Sequence, residues 1–193
     1  MRTGKVQAAV TAPLPAAPDG FVWRLFEDAT FLKPRAWHEH EQVTATSTIP
    51  VTTYATLPEV FCETKPFELG LTVQVTRDSQ KIRGIEAKKL VLVYLKPFTN
   101  ARKEGDILFL EQSTKGDFEH TFFRYTDARP SQKPAILHKY IMANNVTDRV
   151  YAFTFKSTTQ SWGEHWAHYG IPILSQMAIG TEIVVPPTRN NVH

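Results

Sequence analysis

The chain has 193 residues, 42% of them hydrophobic and 21% charged, with a net charge of +3 and a pI near 9.0. That suffices for one domain with a real core, is short for two, and falls in the range of soluble globular proteins. No apolar run approaches the roughly 18–20 residues of a membrane helix, and the basic residues are too scattered for a dedicated nucleic-acid binder.

The single cysteine, Cys62, excludes an internal disulfide framework and a thiolate metal cluster. Its setting, "EVFCETK", reads as a strand with a buried, inert thiol. The basic residues show one local excess. Arg77, Lys81, Arg83, Lys88, Lys89, Lys96, Arg102 and Lys103 stand against only Asp78 and Glu86. The expected meaning is the solvated face of a helix and its loop.

In chain order, residues 1–19 are rich in Ala and Pro and lack the apolar stretch of a secretory signal. A flexible arm is expected there. The ordered domain is expected over 20–185, followed by a tail at 186–193. "FVWRLF" reads as a first strand, and Pro34 marks a turn before Trp37. "QVTATSTIPVTTYAT" has strand composition, but Pro50 demotes it to an edge or an interrupted hairpin. "ELGLTVQVT" alternates cleanly. Leu69, Leu71, Val73 and Val75 take one face, and Gly70, Thr72, Gln74 and Thr76 the other, as in a sheet packed on a core.

"GIEAKKLVLVYLKPF" mixes a helix-forming start with a strand-like middle. The expectation is a helix over about Ile85 to Leu95, ended by Pro97. Four strands follow, "DILFLEQS", "FEHTFFRYTD", "AILHKYIMAN" and "RVYAFTFKS". They are joined by turn chemistry in "KGD", "ARPSQK" and "NVTD", which predicts an antiparallel meander. Tyr151, Phe153 and Phe155 share a face. Phe118, Phe122, Phe123 and Tyr125 occupy both faces of their strand, as suits a central position.

"SWGEHWAHYGIPILSQM" reads as a closing helix. Ser161 and Glu164 have capping-box spacing. Trp162, Trp166, Tyr169, Ile173 and Met177 recur at helical steps and form an apolar stripe, while Gly170 and Pro172 kink or split the helix. The tail "EIVVPPTRNNVH" adds a short strand.

This ordered set resembles the PsbP/DcrB-like superfamily, which includes the extrinsic photosystem II protein PsbP and the Ran-binding Mog family. "FLKPRAWHE" (31–39), "FELGLTVQVT" (67–76) and residues 138–174 carry the likeness, which spans about residues 20–180. The resemblance implies an α+β fold, an α/β/α sandwich with a central antiparallel sheet flanked by helices. It also implies a non-enzymatic protein-binding or assembly role, with no cofactor. The partner would be a protein such as a photosystem subunit, a small GTPase or a secreted effector, and not nucleic acid. The chain departs from the family's targeted and lipid-anchored branches, so the cytoplasm is the default location and the chloroplast the other.

Two histidine pairs support an alternative, a small metal-dependent protein or enzyme. His38 and His40 are two apart on an expected strand and so point the same way. His165 and His168 are three apart on the closing helix, with Glu164 beside them. Zinc wants three or four ligands. "GEHWAH" is not the H-E-x-x-H of zinc proteases, and its histidines are expected on a polar face opposite the tryptophans. No nucleophile elbow, phosphate loop or dinucleotide fingerprint occurs.

Overall fold

A computed structural model describes residues 14–44, 49–62, 66–101, 106–128, 132–180 and 182–184. The start of the expected arm, the tail over 186–193, and Arg102 and Lys103 lie outside the described residues. The chain divides into two compact units. One comprises residues 37–165, the other residues up to 36 together with those from 166 onward.

The 37–165 unit is built on a seven-stranded antiparallel sheet. Its strands are β3 (His38–Thr44), β4 (Val51–Leu57), β5 (Gly70–Arg77), β6 (Ile107–Lys115), β7 (Phe118–Asp127), β8 (Ala135–Asn144) and β9 (Arg149–Thr158). Their spatial order is β3-β4-β5-β9-β8-β7-β6. The meander expected from the turn residues is present as β6 to β9, each strand paired with the next. Pro50 stands just before β4, and among the described residues β3 is an edge strand paired with β4 alone, as the proline suggests.

Strand pairing fixes the two faces. Across β5 and β9, Leu71, Val73 and Val75 lie opposite Phe155, Phe153 and Tyr151, and all six are almost fully buried. The other face carries Phe123, Tyr125, Ile141, Ala143, Val150 and Ala152, and helix α2 (Ala87–Ala101) packs there. Ala87, Leu90, Val91, Tyr94 and Leu95 point inward at steps of three, one, three and one, while Lys88, Lys89, Leu92 and Lys96 are exposed. That amphipathic pattern outweighs the strand-like composition of "LVLVYL". Each fully buried Leu or Val contributes about 1.5–3 kcal/mol.

Pro97 does not end this helix, which runs on to Ala101. A proline forfeits one backbone donor and crowds the carbonyl four residues back, a cost that tertiary packing of the preceding turns offsets. A short helix, α1 (Ser79–Arg83), precedes α2 and was not legible in the pattern. Its first turn is tied down from a distance. The Asp148 carboxylate accepts from Gln80 N at 3.0 Å, Lys81 N at 3.2 Å and Ser79 Oγ at 3.0 Å. Helix α3 (Trp162–His165) closes this unit on the sheet face opposite α2. There the Trp162 ring meets Phe155 edge-on at 5.9 Å.

The other unit holds a four-stranded antiparallel sheet in the order β1-β2-β10-β11, formed by β1 (Phe21–Phe26), β2 (Ala29–Pro34), β10 (Met177–Ile179) and β11 (Glu182–Val184). This second sheet joins the two ends of the chain, a long-range pairing that local pattern does not announce. After α3 the chain makes a π-helical turn, Trp166–Gly170, and then α4, Ile171–Ser175, with Pro172 in its first turn. The helical run is continuous from Trp162 to Ser175 and changes from π to α after Gly170, the point of the expected kink or split. Met177 belongs to β10, not to a helical stripe. No helix of the described residues is long and apolar enough to cross a membrane.

Candidate functional site

The four candidate histidines were placed by strand and helix geometry. His38 and His40 share a face of β3, as period two requires, which leaves Glu39 and Glu41 on the opposite face. His38 is exposed, and the His40 ring stacks on Phe61 at 3.9 Å and 7°. His165 is half-buried. Its Nδ1 lies 2.7 Å from the Oγ of fully buried Ser157, so it is not simply part of a solvated polar face. Ser157 shares its sheet face with Phe155, and α3 brings His165 over it. His168 is exposed and meets the Tyr169 ring edge-on at 4.5 Å. Among the described residues, no group of three or more His, Cys, Asp and Glu gathers as metal ligands.

The expected stripe is graded. Ile173 is fully buried, whereas Trp162, Trp166 and Tyr169 are half-buried. Cys62 corrects an expectation. It is exposed and lies outside any strand, because β4 ends at Leu57 and β5 starts only at Gly70.

Sequence reasoning missed a polar layer on the sheet face opposite α2. His120 Nδ1 lies 2.7 Å from the Tyr140 hydroxyl, and the Phe122 and Tyr140 rings stack at 4.4 Å and 4°. Arg124 donates from Nε to His138 Nδ1 at 3.2 Å, and its guanidinium sits 5.1 Å from the centre of the Trp162 ring. Burial and the Arg124 charge push His138 down to about 3. Burial likewise lowers His120 and raises the Tyr140 phenol. His138 and Tyr140 therefore keep their neutral forms near pH 7. The alternation in "HTFFRYT" and "ILHKYIM" contained this layer, but only the β7–β8 register sets Arg124 opposite His138.

One edge of the sheet is built differently from the other. β3 presents His38, Glu39, His40 and Glu41, a charged edge of the kind that resists unwanted strand addition. β6 is nine residues long and exposes Leu108 and Leu110, 48% and 47% accessible. Its register against β7 shifts between Ile107 and Phe109, leaving Leu108 outside the ladder. Alternate backbone N–H and C=O groups of β6 point away from β7 and meet no further strand among the described residues. Beside this edge a cleft of about 260 Å³ opens between α2 and β6, lined by Lys88, Lys89, Leu92 and Gln112 among others. Lys88 and Lys89 pair there with Glu119 at 3.9 Å and Glu86 at 3.5 Å.

No protein-family model matches this sequence, and no curated protein matches it. Among solved structures, a protein of unknown function from Pseudomonas aeruginosa, PA94, described as a putative regulator, aligns over 77% of this chain and 90% of its own at 12% identity and a TM-score of 0.33. The solution structure of cyanobacterial PsbP from Synechocystis aligns over 88% of this chain and 98% of its own, at 12% identity and a TM-score of 0.52. The chain thus has a fold similar to that of cyanobacterial PsbP.

Proposed function

We propose that this chain is a non-enzymatic, PsbP-like binding or assembly factor, built as an α/β/α sandwich, that holds an extended segment of a protein partner along β6. The observation that carries the reading is the open β6 edge with Leu108 and Leu110 exposed on it. A strand added there gains main-chain hydrogen bonds from the ladder groups of β6. Its alternate side chains meet Leu110 and the adjoining α2 cleft. The apolar first half of β6, with Leu108 and Leu110 exposed on an open edge, is the kind of segment a partner strand covers. The fold likeness supports the architecture and is silent on the partner.

The test places a photo-cross-linking amino acid at Thr114, an exposed position of β6, in one preparation and at His40, on the opposite edge, in another. The expected result is a discrete cross-linked partner from β6 alone, lost in Leu108→Lys/Leu110→Lys protein that keeps its melting temperature. Equal cross-linking from both edges, or capture that the lysine variant leaves intact, would refute it.

A further inference from the structure

The positive charge of this chain is concentrated on one layer. Arg77 to Ala101 holds six basic and two acidic residues, a balance of +4, whereas the whole chain is +3, so everything else sums to −1. In the fold, Lys81 and Arg83 on α1 and Lys88, Lys89 and Lys96 on α2 are exposed together. The side chains of Lys81 and Arg83 form no salt bridge among the described residues, whereas Lys88 pairs with Glu119 and Lys89 with Glu86. At the base of the layer Arg77 pairs across the sheet with Arg149, and burial together with that neighbouring charge lowers the Arg77 pKa.

The β8–β9 turn is fastened to the same layer. Besides the Asp148 bonds to the first turn of α1, Asn145 Oδ1 accepts from Lys88 N at 3.1 Å, and Asn144 Oδ1 accepts from Val146 N at 2.8 Å. This hydrogen-bonded turn presents Val146, 78% exposed, and α1 carries Ile82, 45% exposed. Single exposed aliphatic side chains are ordinary. Exposed aliphatic side chains on α1 and on a turn bonded to the first turns of α1 and α2, elements that carry exposed cations, have the composition of a peripheral membrane contact. The cations are drawn to acidic headgroups and the aliphatic tips enter the headgroup region. Base stacking would call for aromatic platforms instead of aliphatic tips. An acidic protein would use the charges and leave Val146 and Ile82 without a role.

We propose that the α1–α2 layer and the β8–β9 turn seat this protein on an anionic lipid surface. The two surfaces share Lys88 and Lys89, which line the cleft beside β6, whereas Lys81, Arg83 and Val146 do not line it and therefore carry the test.

Sedimentation of the full chain with vesicles tests this. The vesicles are phosphatidylcholine alone or phosphatidylcholine mixed with phosphatidylglycerol, at low and physiological salt. Retention is expected on the acidic vesicles only, weakening with salt. Lys81→Glu/Arg83→Glu should lower the affinity at least tenfold, since each basic residue near such a surface contributes about fivefold. Val146→Asp, a change confined to an exposed turn, should lower it several-fold with the melting temperature unchanged. Absence of binding at low salt, equal binding to neutral vesicles, or binding that charge reversal leaves intact would overturn the proposal. Capture on immobilised polyglutamate without capture on vesicles would also overturn it, assigning the layer to an acidic protein.

Discussion

His138 gives the sharpest stability prediction. It is 6% exposed on β8, and its Nδ1 accepts from the Arg124 guanidinium at 3.2 Å. Protonation would remove that acceptor and place two cations together in a desolvated layer. Its pKa in the fold is accordingly about 3, against an ordinary 6.5. The unfolded chain therefore takes up a proton near 6.5 that the folded chain refuses until about 3. The associated stability is fully present above the unfolded value and is lost as pH falls from 6.5 toward 3. At about 1.4 kcal/mol per pH unit, the loss reaches ~2 kcal/mol by about pH 5, with a ceiling of ~5 kcal/mol. His138→Asn keeps an acceptor near the Nδ1 position and cannot titrate. Urea unfolding of both proteins at about pH 7.5 and pH 5 isolates the effect, since the remaining groups, His120 included, cancel in the difference. Wild type should lose ~2 kcal/mol more than the variant. Parallel losses, within about 0.5 kcal/mol, would show that His138 is not held neutral by burial.

Asp148→Ala should destabilise by about 1–2 kcal/mol, because it removes the acceptor for Gln80 N, Lys81 N and Ser79 Oγ. Asp148→Asn, which keeps one oxygen and tolerates the positive φ of 50°, should recover part of that in urea unfolding. Gly170 has an ordinary right-handed backbone, so helix propensity alone makes Gly170→Ala stabilising by about 1 kcal/mol. A Cβ there would come within 3.0 Å of three Trp166 ring atoms, and overpacking of this kind costs about 1–3 kcal/mol. The substitution should therefore lower the melting temperature in wild type and raise it in Trp166→Ala protein. The same sign in both backgrounds would refute the contact.

Much of the larger sheet was legible. "AILHKYIMAN" is β8 from Ala135 to Asn144, and "FEHTFFRYTD" is β7 from Phe118 to Asp127. Both are strongly patterned runs between turn residues, where local preference and burial agree. Legibility failed where the deciding interaction is remote. α1 has no pattern of its own and depends on a carboxylate near the far end of the chain. Cys62 sits in a run that looks like a strand, yet it falls between β4 and β5 and belongs to neither. The candidate site was less legible than the fold. Leu108 and Leu110 look like core residues in "DILFLEQS", and only the position of β6 at the end of the strand order leaves them exposed.

What the sequence determined by itself is local. It set the alternation of β5, the inward face of α2 at Ala87, Leu90, Val91, Tyr94 and Leu95, and the irregularity of the closing helix near Gly170 and Pro172. These follow from side-chain period and backbone chemistry within a few residues. Tertiary structure decided which strand became an edge, and it joined β2 to β10 across most of the chain. It also set Arg124 against His138 and gathered the basic residues of α1 and α2 around the β8–β9 turn. Each of these depends on strand order and register, which arise from contacts between segments distant in sequence and so leave no mark in any one of them.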